Sequence, residues 1–199
     1  MALEKGIAEL VREFIDAGRP SSREQNIDDR RNGYVASAVL AGEQENRVWV
    51  EDIELEGMFF RVVSPLNATG ALPAVIYFHG GCFISGGFAT HDHQLRQLAY
   101  HSGCRVIAVQ YRLAPEHTFP AAHDDAEKGA LIIHRHAGQL GIDASRITLA
   151  GDSAGGHLAL VTALRLKTTQ AWQPAQLVLI YPMLDATASM KSVAERYIS

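Results

Sequence analysis

Only two cysteines, Cys82 and Cys104, occur among the 199 residues, too few for a disulfide framework. A cytoplasmic location is the default expectation, and there a bridge between them is not expected. No apolar run is long enough to span a membrane, and Glu4 and Lys5 interrupt the stretch where a secretory leader would carry its apolar core. Charge of one sign is also scarce. A net charge of −4 gives no footing for nucleic acid or an anionic membrane surface. The nine histidines are scattered rather than clustered, and no repeat or low-complexity segment is visible. What is present, 47% apolar and 20% charged residues, is the composition of one ordinary globular domain with a substantial core.

Apolar spacing organises the chain. Leu3, Ile7, Leu10, Val11, Phe14 and Ile15 recur at helical intervals until Gly18 and Pro20 close the run. Residues Ser21 to Arg31 are polar and read as loop or a short capping helix. Arg47 to Leu55 and Met58 to Val63 form a predicted hairpin turning at Glu56-Gly57. Beyond Pro73 the rhythm alternates. Ala74 to Phe78, Arg105 to Tyr111, Ile147 to Ala150 and Leu177 to Tyr181 are short and almost wholly apolar, as strands buried on both faces are. Helix-like stretches near His91 to His101, Ala121 to Leu140 and Ala154 to Leu166 lie between them. That alternation predicts an α/β fold, a parallel sheet with helices on both sides.

Gly151-Asp152-Ser153-Ala154-Gly155 falls between a predicted strand and a predicted helix. G-x-S-x-G in that position reads as a nucleophile elbow, a turn too tight for a Cβ that lifts the Ser153 hydroxyl above the sheet edge. A second constellation, His79-Gly80-Gly81-Cys82-Phe83, follows the strand Ala74 to Phe78 directly. Acyl transfer builds negative charge on a carbonyl oxygen, and adjacent glycines let backbone N–H groups converge on it.

Three segments in order carry a resemblance: His79-Gly80-Gly81; Tyr111-Arg112-Leu113-Ala114-Pro115-Glu116 with Phe119-Pro120-Ala121-Ala122; and Gly151-Asp152-Ser153-Ala154-Gly155-Gly156. Over roughly Glu45 to Asp185 the chain resembles the hormone-sensitive-lipase-like family of α/β hydrolases, most of all its bacterial acetyl-esterase-type carboxylesterases. The resemblance implies an α/β-hydrolase fold: a mostly parallel sheet with an N-terminal antiparallel hairpin, an N-terminal helical cap over 1–44 and the hydrolase core over 45–199. It implies Ser153 as nucleophile, the amides of Gly80, Gly81 and Ala154 as oxyanion hole, and His79 as a brace for the oxyanion loop rather than a base. The implied substrate is a small short-chain acyl ester, with no cofactor and no metal. Cys82 stands where the family has a third glycine. Its amide remains usable if the local φ is negative, and its thiol would narrow the acyl pocket.

A serine hydroxyl needs a base, and in this fold the order is Ser, acid, His. After Ser153 the only histidine is His157, four positions into the helix, which reads as a packing residue. Asp185 has the chemistry of the acid but lies after the sixth strand, whereas the family's acid and base follow the seventh and eighth. The fold is therefore expected to be unfinished at Ser199, the chain alone poorly active, and the edge at Leu177 to Tyr181 open to self-association, a homodimer included. Among other residues, His91-Asp92-His93 has the types of a metal pair but sits where Thr90 or Asp92 would cap a helix. His134 and His136 read as solvated, Asp124 and Asp125 as first-turn acids favouring the helix dipole, and Arg112 and Glu116 as braces of the loop after the fourth strand. The rival function is non-catalytic: a truncated or decayed hydrolase, or a ligand-binding relative like the plant gibberellin receptors that resemble this family. A third reading has another polypeptide supply the missing strands.

Overall fold

The computed structural model describes residues 4–18, 20 and 24–185. The predicted helix start at Leu3, part of the 21–31 segment and the end of the 45–199 unit lie outside them. Strands β1 (Val48–Leu55), β2 (Met58–Pro65), β3 (Leu72–Phe78), β4 (Arg105–Val109), β5 (Ile142–Asp152) and β6 (Gln176–Ile180) form one sheet in the order β1-β2-β4-β3-β5-β6. The β1–β2 and β2–β4 pairings are antiparallel, and β3–β4, β3–β5 and β5–β6 are parallel. The mixed α/β-hydrolase sheet is as expected. The hairpin turns at Glu56 (φ 50°) and Gly57 (φ 74°). Two successive positive φ values match the twist of the paired strands, and Gly57 adopts one of them without steric cost.

Alternation along the central strands divides the core into two layers. Ile76 and Phe78 of β3 face one way, joining Ile107, Val109, Ile133 and Leu158 beneath helices α4 (Ala121–Arg135) and α5 (Ala154–Thr169). Val75 and Tyr77 face the other way, with Val106, Ala108 and Leu95, beneath α3 (Phe88–Ser102). Both faces of β3 and β4 are thus buried, which explains why these strands read as unbroken apolar runs.

The N-terminal region departs from its reading. Helix α1 (Lys5–Asp16) forms as its spacing predicts, but α2 occupies Ile27–Ser37, where no helix was expected beyond Arg31. It has no apolar stripe and buries no residue. Its start is capped by Asn26, whose side chain accepts from the Asp29 N–H at 2.8 Å. His134 and His136 are not freely solvated either. His134 stacks on Trp172 (centroids 4.7 Å apart) and His136 lies 3.1 Å from Glu56 Oε1.

β6 borders the sheet, and among the described residues nothing pairs its outer edge. Leu177 and Val178 remain 39% and 45% exposed there. An apolar strand with free N–H and C=O groups is a template for another chain. The 199-residue protein is therefore expected to self-associate at micromolar concentration, measured by light scattering after size exclusion. Val178→Lys should shift it toward monomer, and an unchanged mass distribution would refute pairing through this edge.

Candidate active site

Phe78 at the end of β3 is in register with Gly151 near the end of β5. This pairing sets His79-Gly80-Gly81 beside Asp152-Ser153-Ala154, two segments more than 70 positions apart in sequence. Ser153 sits between β5 and α5 with φ 54° and ψ −116°, a backbone region that L residues rarely occupy. Its N–H donates to Ile180 O at 2.9 Å, while its carbonyl accepts from His157 N and Met183 N, each at 3.1 Å. Gly155 allows the tight crossing: a Cβ there would lie 2.6 Å from His79 O and closer still to Phe78 O.

The loop after β3 is held from behind. His79 Nδ1 lies 2.8 Å from Gly80 O. A carbonyl only accepts, so Nδ1 carries the proton and donates. The ring stacks on Tyr111 with centroids 4.2 Å apart, and the Tyr111 hydroxyl donates to His79 O at 2.6 Å. Burial drives the His79 pKa down to about 4, so the ring is neutral. Ile84 N, Ser85 N and Ser85 Oγ all donate to Gly81 O, at 3.1, 3.0 and 3.0 Å. In a trans peptide the N–H points opposite to the C=O. Securing the carbonyls of Gly80 and Gly81 therefore aims the amides of Gly81 and Cys82 the other way. Neither amide, nor that of Ala154, meets a partner among the described residues.

Gly80 departs from the expected arrangement. Its N–H donates to Asp152 Oδ1 at 3.0 Å and is not free for a ligand. Cys82 also differs, with φ +57° where a negative value was expected. The direction of its N–H is set by the Gly81–Cys82 peptide plane and not by its own φ, so the amide stays usable. It keeps a glycine-like backbone despite its side chain. Cys82 and Cys104 are unbridged.

Asp152, 5% exposed, joins the two segments. It also accepts from Tyr77 Oη at 2.8 Å, and His91 Nε2 approaches its Oδ1 to 3.3 Å. The burial of Asp152 pushes its pKa up, but the His91, Tyr77 and Gly80 contacts outweigh this and hold it below the usual carboxylate range. His91 is thereby occupied, and Asp92 binds Arg61 (2.9 Å) and Arg96 (2.6 Å) rather than a metal. Thr90 is the capping residue: its hydroxyl oxygen accepts from Gly87 N at 3.0 Å. Arg112 pairs with Asp125 at 2.8 Å, bracing the loop after β4 as expected, and Asp124 binds Arg165 at 2.8 Å.

Beside the elbow opens a cavity of about 460 Å³ lined by Cys82, Phe83, Phe119, His123, His157 and Met183, among others. His157 lines this cavity and is more than a packing residue. Both of its ring nitrogens are engaged, Nδ1 with Met183 O at 2.9 Å and Nε2 with His123 Nε2 at 3.1 Å.

A family model described as the alpha/beta hydrolase fold matches residues 75–198. The chain belongs to the α/β-hydrolase fold family. It is 34% identical over 211 residues to an ethyl acetate hydrolase of Pseudomonas putida, covering 99% of this chain and 66% of that protein. It is 39% identical over 135 residues to the carboxylesterase NlhH of Mycobacterium tuberculosis, covering 68% of this chain and 42% of that one. Among solved structures, an ester-hydrolase from the metagenome of Lake Arreo superposes with a TM-score of 0.87 at 34% identity, over 96% of this chain and 64% of its own. The esterase of Pyrobaculum calidifontis does so at 0.82 and 37%, over 92% and 60%. The chain thus spans less than two thirds of the length of each of these relatives. No helix among the described residues is long and apolar enough to cross a membrane.

Helix α2 meets this site through Tyr34, whose ring lies edge-on to His91 with centroids 6.0 Å apart, and through Arg31. Arg31 of α2 donates to Ile84 O (2.8 Å), Ala114 O (3.0 Å) and both carboxylate oxygens of Glu116 (2.7 and 2.8 Å). The Arg31 hydrogen bonds hold the Glu116 pKa down to about 2. Since that pKa is depressed, the ion pair is complete above the ordinary Glu pKa and is lost only as pH falls toward 2. Arg31→Ala is expected to release α2 and speed tryptic cleavage within residues 24–37 about tenfold at pH 7, leaving the α/β core resistant. Unchanged cleavage would show that Arg31 is not the tether.

Proposed function

We propose that this chain carries the nucleophile and the oxyanion-binding amides of a carboxylic ester hydrolase acting on short-chain acyl esters. The observation that carries the reading is Ser153 on a strained strand–helix turn, beside backbone amides whose carbonyls are tied back. Ser153 Oγ attacks the ester carbonyl carbon and passes its proton to a base. The carbonyl π electrons move to oxygen, and the oxyanion receives hydrogen bonds from Gly81, Cys82 and Ala154 N–H. Collapse expels the alcohol, protonated by the conjugate acid of that base, and leaves an acyl-Ser153 ester. Water then repeats the sequence and releases the carboxylic acid.

Neither His79 nor His157, the histidines nearest Ser153 in the chain and loop described above, is free for this proton. His79 is buried and committed to Gly80, and both nitrogens of His157 are occupied. We assign the base to residues outside those described. The cavity beside Cys82 and Phe83 would take the acyl or alcohol group, and residues 1–44 act as a cap through Arg31. The test compares the 199-residue chain with a chimera that appends the remaining third of the Pseudomonas putida relative, assayed on p-nitrophenyl acetate. Turnover confined to the chimera is expected, since a hydrolase without its base retains only about 10³ to 10⁴ over water. Robust turnover by the monodisperse 199-residue chain would refute the assignment of the base and point to His157.

A further inference from the structure

His123 and His157 face each other across the packed start of two helices, third residue of α4 and fourth of α5. Their proton arrangement follows from their partners. Met183 O only accepts, so His157 Nδ1 carries a proton and His157 Nε2 presents a lone pair. The 3.1 Å contact between the two Nε2 atoms then requires the proton on His123 Nε2. His123 Nδ1 is left as a buried lone pair with no partner among the described residues. The pair is thus joined by one exchangeable proton, and Phe83 (centroids 5.6 and 5.8 Å away) and Phe119 (5.1 Å from His123) surround it.

We propose that this pair is a two-histidine site for a borderline-soft divalent cation, Zn²⁺, Ni²⁺ or Cu²⁺, which binds both Nε2 atoms on the wall of the cavity they line. The spacing fits. With metal–nitrogen bonds of about 2.05 Å, nitrogens 3.1 Å apart close an angle of roughly 100° at the metal, between octahedral and tetrahedral values. Imidazole is a preferred donor for all three ions. His157 already has the outer hydrogen bond typical of a ligating histidine, its Nδ1–H on a backbone carbonyl, which fixes the tautomer that offers Nε2. The unpartnered His123 Nδ1 is common to both states, so binding adds no new orphan; His123 moves its proton from Nε2 to Nδ1 and frees the second lone pair.

No cluster of three His, Cys, Asp or Glu side chains suited to a metal occurs among the described residues, so two ligands come from the protein. The other positions would be filled by water or by an oxygen of a molecule in the cavity that both histidines line. A cation held there would occupy part of the cavity proposed above for the acyl or alcohol group and would act as an inhibitor.

The site does not depend on the esterase reading, and its test requires no activity. Binding of Ni²⁺ and Zn²⁺ to the 199-residue protein is measured by calorimetry at pH 7.5, alongside His123→Leu and His157→Asn. One ion per chain is expected, with affinity reduced at least tenfold in each variant and no further in the double variant, because either loss breaks the chelate. Equal affinity in parent and variants would place the metal on other histidines and overturn the proposal, as would no binding at millimolar metal. Should the variants not fold, substoichiometric Cu²⁺ added to the parent, observed by NMR, decides the matter. Imidazole signals of His123 and His157 must broaden first, and prior broadening of His101 or His136 would refute the site.

Discussion

Ser153→Ala is expected to lower turnover of p-nitrophenyl acetate in the chimera by about 10⁴- to 10⁶-fold, the range seen when a serine hydrolase loses its nucleophile. Stability should change by no more than about 1 kcal/mol, because Ala keeps the Cβ that the turn already accommodates and the backbone bonds to Ile180, His157 and Met183 involve no side chain. Mass spectrometry of protein quenched during turnover adds a second readout. An acetyl group should be found on the peptide containing Ser153 in the parent and be absent from the variant. Undiminished hydrolysis by Ser153→Ala would end the nucleophile assignment whatever the fold.

Asp152→Ala should produce the largest loss of stability, about 3 kcal/mol by urea denaturation of the 199-residue chain. Removing the carboxylate orphans the Tyr77 hydroxyl, the Gly80 N–H and His91 Nε2 at one buried point. Asp152→Asn keeps an acceptor for Tyr77 and Gly80 and should lose less than half as much. In the chimera, Asp152→Ala should reduce kcat while barely moving KM, since it frees the loop that aims the oxyanion amides and touches no substrate. The pH dependence has a definite sign. The folded pKa of Asp152 is depressed, so its contribution is fully present above the ordinary Asp value of about 3.9 and disappears as pH falls through the lower folded value. Equal stabilities of the Ala and Asn variants would show that the carboxylate is not the junction described above.

The features legible in the sequence are those set by neighbours in the chain. Glu56-Gly57 announces its turn, the apolar strands β3, β4 and the end of β5 announce their burial, and Gly151 to Gly155 announce an elbow through turn chemistry alone. Strand β6, read as buried on both faces, instead lies exposed at the sheet border. Helix α2 was not legible beyond Arg31, because it presents no apolar stripe and is secured by Asn26 at its start and by Arg31 reaching loops 53 and 83 positions away. The use of Gly80 was missed for a related reason. Whether an amide is free depends on what lies opposite, and its partner Asp152 is 72 positions further along. The pairing of His123 with His157 across two helices left no periodic trace, and neither did the stacking of His134 on Trp172.

The in-register meeting of Phe78 with Gly151 has a consequence for how such a chain can vary. The separation between nucleophile and oxyanion loop is a rung of a hydrogen-bonded ladder, fixed near 4.8 Å by the peptide backbone and independent of side chains. Lengthening the exposed connection at Leu66 to Gly70, at the opposite end of the sheet, leaves that rung where it is. A single residue inserted within β3 or β5 would instead move side chains from one core layer into the other and offset the two reactive segments from each other. Variation in substrate choice therefore has the loops above the sheet at its disposal, whereas the count of residues along these two strands behaves as a fixed gauge.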